Sequence, residues 1–196
     1  MAKIKRNRNG TRKDVIITKA AKLFREKGFS ATSMRDLAEH VGVEAASLYN
    51  HISSKAELLQ EICFKVANNF LAHMDEVDAS NTGAIAKLEA ILRFHIKQMV
   101  ENYEEVYVSD REWKHLTDPY LSNMQGQRRA YRQRMASIIE EGIRTEEIKN
   151  IDAPTAVLIM LHAVSGIESW HRSKRKIPGD VLENNMVIIL VDGLRR

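Results

Sequence analysis

Residues 37–55, LAEHVGVEAASLYNHISSK, hold two apolar-periodic stretches on either side of Gly42, and neither is long enough to be a stable helix alone. Such segments persist only when packed on each other and on something larger, so they restrict the fold more than any other part of the chain. Ala38 is small where two helices would cross. Gly42, four residues on, can take the left-handed backbone that a tight turn needs. Leu37, Val41, Val43 and Leu48 supply an apolar wedge to set the crossing angle. The spacing is that of a helix-turn-helix, and a further helix must cover its back. An ordinary helical hairpin is the alternative, but it gives no reason for the poorly burying run that follows, Tyr49 to Lys55.

The flanking sequence supplies the covering helices. TRKDVIITKAAKLFREKGF, from Thr11, places Val15, Ile16, Ala20, Leu23 and Phe24 on one stripe and ends at Gly28. Ser33 with Asp36 three later reads as an N-cap, and Ser54 with Glu57 as a capping box for the long amphipathic stretch KAELLQEICFKVANNFLAHMDEV. AIAKLEAILRFHIKQMVENYEEV reads as one helix, with a shorter helix around DREWKHL. Pro119 opens PYLSNMQGQRRAYRQRMASIIEEGIR, which Gly142 begins to close. Asp152 caps DAPTAVLIMLHAVSGIESWHR, with Pro154 in its first turn, and IPGDVLENNMVIILVDGLRR finishes the chain. The expectation is an all-α protein of about nine helices. Residues 1–55 form a three-helix head with a basic N-terminal arm, and residues 56–196 form a larger helical body.

Charge separates the same two parts. Residues 1–57 carry twelve Lys and Arg against six acids, whereas residues 58–196 carry 18 against 20. The densest stretch, MAKIKRNRNGTRK, has six basic residues and no acid, as an arm attracted to polyphosphate would, although a solvated leader has the same look. No apolar run reaches the ~18 residues of a membrane span, and no apolar segment follows the basic N-terminus as in a secretory signal. Cys63 is the only cysteine, so no intramolecular disulfide forms; a cytoplasmic location is expected.

A helix-turn-helix lays its second helix in the DNA major groove while flanking polar groups hold phosphates. Here that helix offers Glu44, Ala45, Ala46, Ser47, Tyr49 and Asn50 outward. The two alanines permit close approach and contact with a thymine methyl, and Glu44 can accept from cytosine. Ser47 and Asn50 can reach base edges or phosphates. Tyr49, His51 and Lys55 look like a phosphate clamp, with Ser33 donating from the other side. Tyr49 packed on the first helix and His51 merely ending a helix are the structural alternatives.

SMRDLAEHVGVEAASLYNHISSKAELL, about 25 residues after a basic start, resembles the DNA-binding domain of the TetR family of transcriptional repressors. The resemblance covers roughly residues 11–60. It implies an all-helical homodimer with a DNA-binding head and a ligand-binding body. It places Tyr49, His51 and Lys55 at the family's phosphate contacts, and Ala45, Ala46 and Ser47 where the family touches bases. Ser33 stands for the usual threonine and Ile52 for the usual phenylalanine. The Ala-Ala pair leaves little base-specific hydrogen bonding.

A repressor needs a second copy and a trigger. APTAVLIMLHAVSGIESW is apolar nearly all round, and the last helix carries Val181, Leu182, Met186, Ile189, Leu190 and Leu194. Two such helices from each of two chains, about residues 153–172 and 180–194, would form a four-helix dimer interface; central core is the alternative. Dimerisation also sets two heads about 34 Å apart on successive major grooves of double-stranded operator DNA. The trigger, a small-molecule effector, is expected among Met99, Tyr103, Trp113, Met124, Tyr131, Met135 and Met160, although Met and aromatics at helical spacing are also ordinary core. Arg128, Arg129, Arg132 and Arg134 share one helix, as a solvated face or as a grip on phosphate, with Arg128 and Arg132 the first candidates.

The pattern DREWKHL, RRAYRQRM, EEGIR, GIESWHR and DGL diffusely resembles the acyl-CoA-responsive branch of that family. It implies an acyl chain among the apolar residues and a CoA phosphate near the arginines. A multidrug or aromatic-compound sensor of the same family is the other reading of the body. An enzyme is the rival from another class, but there is no nucleophile elbow, no glycine-rich phosphate loop and no dinucleotide fingerprint. Glu168 and His171 have the spacing of a di-iron ligand pair, but no second such pair occurs. His95 and His162 read as hydrogen-bonded core or pocket histidines. No catalytic residue, metal or cofactor is expected.

Overall fold

The computed structural model describes residues 12–196, so the basic arm before Arg12 lies outside the described residues. Among the described residues there is no strand, only an isolated bridge between Ile148 and Arg195. The helices are α1 (Arg12–Lys27), α2 (Met34–Val41), α3 (Ala45–Tyr49), α4 (Lys55–Ala79), α5 (Ala84–Glu101), α6 (Tyr103–Arg111), α7 (Tyr120–Arg144), α8 (Ala153–Ser165), α9 (Ile167–Arg172) and α10 (Gly179–Val187). A 3₁₀ turn, Trp113–His115, precedes α7, and α10 continues into a π-helical turn, Ile188–Asp192. Because α8 and α9 are two halves of one segment jogged at Gly166, these make nine principal helices among the described residues.

Two cores result. In the head, Ile16, Ala20 and Phe24 of α1 meet Leu37, Leu48 and Ile52, and the first half of α4 (Leu58, Leu59, Ile62, Cys63) closes the cluster. The body core gathers the second half of α4 (Phe70, Met74, Val77) with α5, α7 and α8. The 25-residue α4 therefore belongs to both, and α6 adds a second connection through Val108, which packs in the head cluster.

Several boundaries differ from expectation. The segment 84–106 is not one helix: Asn102, at φ −119° and ψ 36°, breaks it into α5 and α6. Gly142 does not close α7 but lies inside it, where a Cβ would meet the Ile148 side chain and Ala84 Cβ at 2.5 and 2.7 Å. It permits close packing of α7 on the start of α5. The helix ends two residues later, where Glu146 takes a positive φ of 62°. Ser33 and Asp36 cap α2 reciprocally and Asp152 accepts from Thr155 N–H at 2.8 Å, as expected, whereas the capping box of α4 forms only by half, Ser54 accepting from Glu57 N–H. Glu57 reaches back to Ser53 N–H at 2.7 Å rather than to that of the cap residue.

Candidate nucleic-acid interface and effector cavity

The turn between α2 and α3 is built as the sequence spacing required. Gly42 sits at φ 80° and ψ 39°, its N–H donating to Ala38 O at 2.9 Å, and Val43 N–H donates to the same carbonyl at 3.0 Å. No atom lies within 4 Å of a Cβ added there, so glycine is required by conformation and not by space. Lys19 of α1 donates to Val41 O at 2.8 Å and ties the covering helix to the end of α2. At the other end, Ser33 Oγ accepts from Asp36 N–H at 3.1 Å while Asp36 accepts from Ser33 N–H and from Lys27 at 2.9 Å each. The Ser33 hydroxyl, then Lys27, hold the Asp36 carboxyl far below its ordinary range.

Leu48 and Ile52 are almost wholly buried, which rotates the opposite face of α3 outward. Glu44, Ala45, Ala46, Tyr49, Asn50 and His51 are exposed, Tyr49 by 53%, and Ser47 is half-buried. Tyr49 therefore does not pack away on α1. Ser33 is exposed at the start of α2, its hydroxyl held by Asp36.

Lys55 departs from the expected clamp. Its ammonium donates to Phe29 O at 3.0 Å, Ser30 O at 3.1 Å and Thr32 O at 2.8 Å, and sits 4.7 Å from the centre of the Phe29 ring. All three of its donors are taken. In this arrangement Lys55 anchors the α1–α2 loop to the first turn of α4.

The body holds a cavity of about 950 Å³ between α4, α5, α6, α7 and α8. Of the expected lining, Met99, Trp113, Met124, Arg128, Tyr131 and Arg132 are on its wall. Tyr103, Met135 and Met160 are not. Tyr103 stacks on His171, ring centres 3.9 Å apart, and the two methionines are fully enclosed in the body core. Arg129, expected only as one of the four arginines of that helix, lines the wall too, and Phe70, Leu71 and Gln127 line it without having been singled out as ligand contacts. For Phe70 and Leu71 the only available signal was their place on α4, which is shared with plain core.

The arginines of α7 divide by direction. Arg134 turns away from the cavity to pair with Asp75 at 2.7 Å and Asp78 at 2.6 Å on α4. Arg128 pairs with Asp110 at 2.8 Å and lies 5.2 Å over Trp113. Arg129 and Arg132 are exposed, line the cavity, and have no ion pair among the described residues. His95, on the same wall, bonds through Nε2 to the Tyr131 hydroxyl at 2.7 Å, and burial drives its pKa down to about 3. His162 Nδ1–H donates to Leu158 O at 2.8 Å.

The groups that suggested enzyme chemistry are engaged elsewhere. Glu168 pairs with Arg111 at 3.0 Å and with Arg172, and His171 Nε2–H donates to Met99 O at 2.7 Å. Cys63 is buried, and burial pushes its thiol up to about 12, which keeps it from acting as a thiolate nucleophile.

Comparison with known proteins decides the family. Residues 16–62 match the model "Bacterial regulatory proteins, tetR family", and residues 81–194 match "Tetracyclin repressor-like, C-terminal domain". The chain belongs to the TetR family. It is accordingly a DNA-binding transcriptional regulator and not an enzyme. It is 26% identical over 188 residues to the HTH-type transcriptional repressor KstR2 of Rhodococcus jostii, covering 93% of this chain and 91% of that protein. The fold superposes on the ketosteroid transcriptional regulator KstR2 of Mycobacterium tuberculosis with a TM-score of 0.88 at 19% identity, over 96% and 97% of the two chains. AibR, solved in complex with isovaleryl coenzyme A and operator DNA, superposes with a TM-score of 0.80 at 22% identity, over 92% and 98%. No helix among the described residues of this TetR-family chain is long and apolar enough to cross a membrane.

Proposed function

We propose that this repressor binds its operator as a homodimer through α3 and is released by an acyl-CoA thioester held in the body cavity. The observation that carries the effector reading is one cavity of about 950 Å³ that joins an apolar wall to two unpaired arginines, Arg129 and Arg132. An acyl chain matches the apolar wall around Phe70, Leu71 and Met99, and CoA phosphates match the guanidinium pair. That AibR was solved with isovaleryl coenzyme A adds support by analogy of fold. A multidrug or aromatic-compound sensor would not require free cations at the cavity.

On the DNA side, Ala45, Ala46 and Ser47 face base edges in this reading, with Glu44 and Asn50 beside them. Tyr49 and His51 contact phosphate; Ser33, whose hydroxyl and N–H both donate to Asp36, caps α2, and Lys55 supports the loop from behind. Leu158 and Ile159 of α8, with Val181, Ile188 and Ile189 near the C-terminus, are 40–71% exposed and supply the apolar face for the second copy. Effector in the cavity shifts α4, which runs unbroken from the head core to the body core, and the two heads lose their groove spacing.

The test is fluorescence anisotropy on an operator selected from a random duplex pool, with acyl-CoAs, free CoA and free acids as competitors. Release by thioesters, with Arg129→Ala/Arg132→Ala needing at least about tenfold more thioester, is the expected result. Release by free acids at the same concentration as by thioesters would overturn the phosphate grip. An unchanged operator affinity in Tyr49→Ala/His51→Ala would overturn the DNA contacts.

A further inference from the structure

Two polar side chains on the cavity wall, Tyr131 buried and His95 half-buried, bond to each other, and their proton count leaves something over. His95 Nε2 lies 2.7 Å from the Tyr131 hydroxyl, with Phe70 edge-on to both rings at centroid distances of 4.5 and 6.1 Å. Neither polar side chain makes a second hydrogen bond among the described residues. Burial keeps the imidazole neutral near pH 7 and pushes the phenol above its ordinary range, so each brings one donor hydrogen. Their mutual bond uses one of the two.

If Tyr131 donates to Nε2, the Nδ1–H of His95 is left; if Nε2–H donates, the Tyr131 O–H is left. In either case one donor and one acceptor remain on the wall beside Phe70 and Met99, with Asp110 and Gln127 lining the same cavity. A donor left unpaired in such a place costs free energy, and a cavity built only for a saturated chain has no use for it.

We propose that the His95–Tyr131 pair recognises an oxygen on the acyl part of the effector, so that the effector class is an oxo- or hydroxyacyl thioester and not a plain alkanoyl one. This rests on the thioester reading of the cavity for the CoA end only; the oxygen contact concerns the acyl end. A carbonyl or hydroxyl oxygen accepts from the spare donor, and a hydroxyl also gives its hydrogen to the spare acceptor. The pair then works as polar sites do elsewhere: an analogue without the oxygen leaves buried polar groups unmatched and is rejected. Water can meet the same groups before effector enters, and a chain without oxygen must displace it with no replacement bond.

The experiment is isothermal titration calorimetry on the full chain with acyl-CoAs of six and ten carbons and their penultimate-carbon oxo and hydroxy counterparts. The same set is run as free acids. Tyr131→Phe combined with His95→Phe, which keeps two rings and removes both polar groups, is the variant, with its fold checked by circular dichroism. The expected result is a preference of about tenfold or more for an oxygenated compound over its parent, reduced to about twofold or less in the double variant, since either partner alone can hold the spare donor. Affinity for the parent is unchanged or increased in the double variant. Equal binding of parent and oxygenated compounds at both lengths in the wild-type chain overturns the proposal, as does a preference that survives in the double variant. If thioesters do not bind but oxygenated free acids show the preference that the double variant loses, the CoA reading falls and the oxygen contact stands. If neither series shows it, the oxygen contact falls.

Discussion

Glu105 stands between the two working parts of the molecule, and its replacement tests whether α6 carries the signal between them. Its neighbours Val106, Tyr107, Ser109, Asp110 and Arg111 line the cavity, while its own carboxylate is turned toward the head. Thr18 of α1 donates to one oxygen at 2.9 Å, and Lys65 of α4 stands 2.7 Å from the other. The residue is only 8% exposed. In Glu105→Ala the Thr18 hydroxyl loses its acceptor at the α1–α6 contact, but Thr18 is itself exposed and turns to water, so the loss is about 0.5–1.5 kcal/mol. Lys65 is 48% accessible and returns to water, so the ion pair adds only a fraction of about 1 kcal/mol. For a chain of this size each 1 kcal/mol shifts the melting temperature by about 2–4 °C, so a fall of about 1–8 °C is expected. The second expectation is functional: with the link between α6 and α1 removed, saturating effector should weaken operator binding by less than half the wild-type factor. Calorimetric melting and operator anisotropy with and without effector read the two quantities on the same preparation. A melting temperature within 1 °C of wild type, together with an unchanged effector response, would refute the reasoning.

The dimer face, the turn, the buried histidine and the loop anchor each yield one further expectation. Ile189→Asp combined with Leu158→Asp places charge on the apolar face and should turn a dimer into a monomer of 22.4 kDa by sedimentation velocity; a persistent dimer would reject that face. Gly42→Ala forces an L-residue to φ 80° with no clash to add, so urea unfolding should show a loss of about 1–2 kcal/mol. His95 has its pKa depressed from 6.5 to about 3, so the unfolded chain binds more protons between those values. That contribution to stability is complete above about pH 6.5 and is lost as pH falls toward 3; His95→Gln should flatten the slope of stability against pH in that window. Lys55→Met should destabilise the head by about 1–3 kcal/mol while leaving the salt dependence of operator binding unchanged, whereas loss of a phosphate contact would reduce that slope by about one.

The parts of this molecule that were legible in its sequence are those governed by local rules. Gly42, the Ser33–Asp36 capping box and Asp152 at the start of α8 could be read because each requirement is met within four residues of chain. The same holds for the exposed face of α3, since burying Leu48 and Ile52 leaves Tyr49 and His51 no other direction. What could not be read depends on direction across helices. Arg134 and Arg132 are two residues apart on α7, yet one pairs with α4 acids and the other faces the cavity unpaired, a difference set by where Asp75 and Asp78 happen to lie. Met135 and Met160 have the same composition signal as Met99 and Met124, but only the latter two meet the cavity, because packing of α7 on α8 closes around the former. Lys55 shows the limit most clearly. Its position matches a phosphate contact by register, and only the three carbonyls at the end of the α1–α2 loop reveal that its charge is already committed. A family motif points to candidate DNA contacts by register; whether Lys55 has a donor to spare is decided by carbonyls more than twenty residues away.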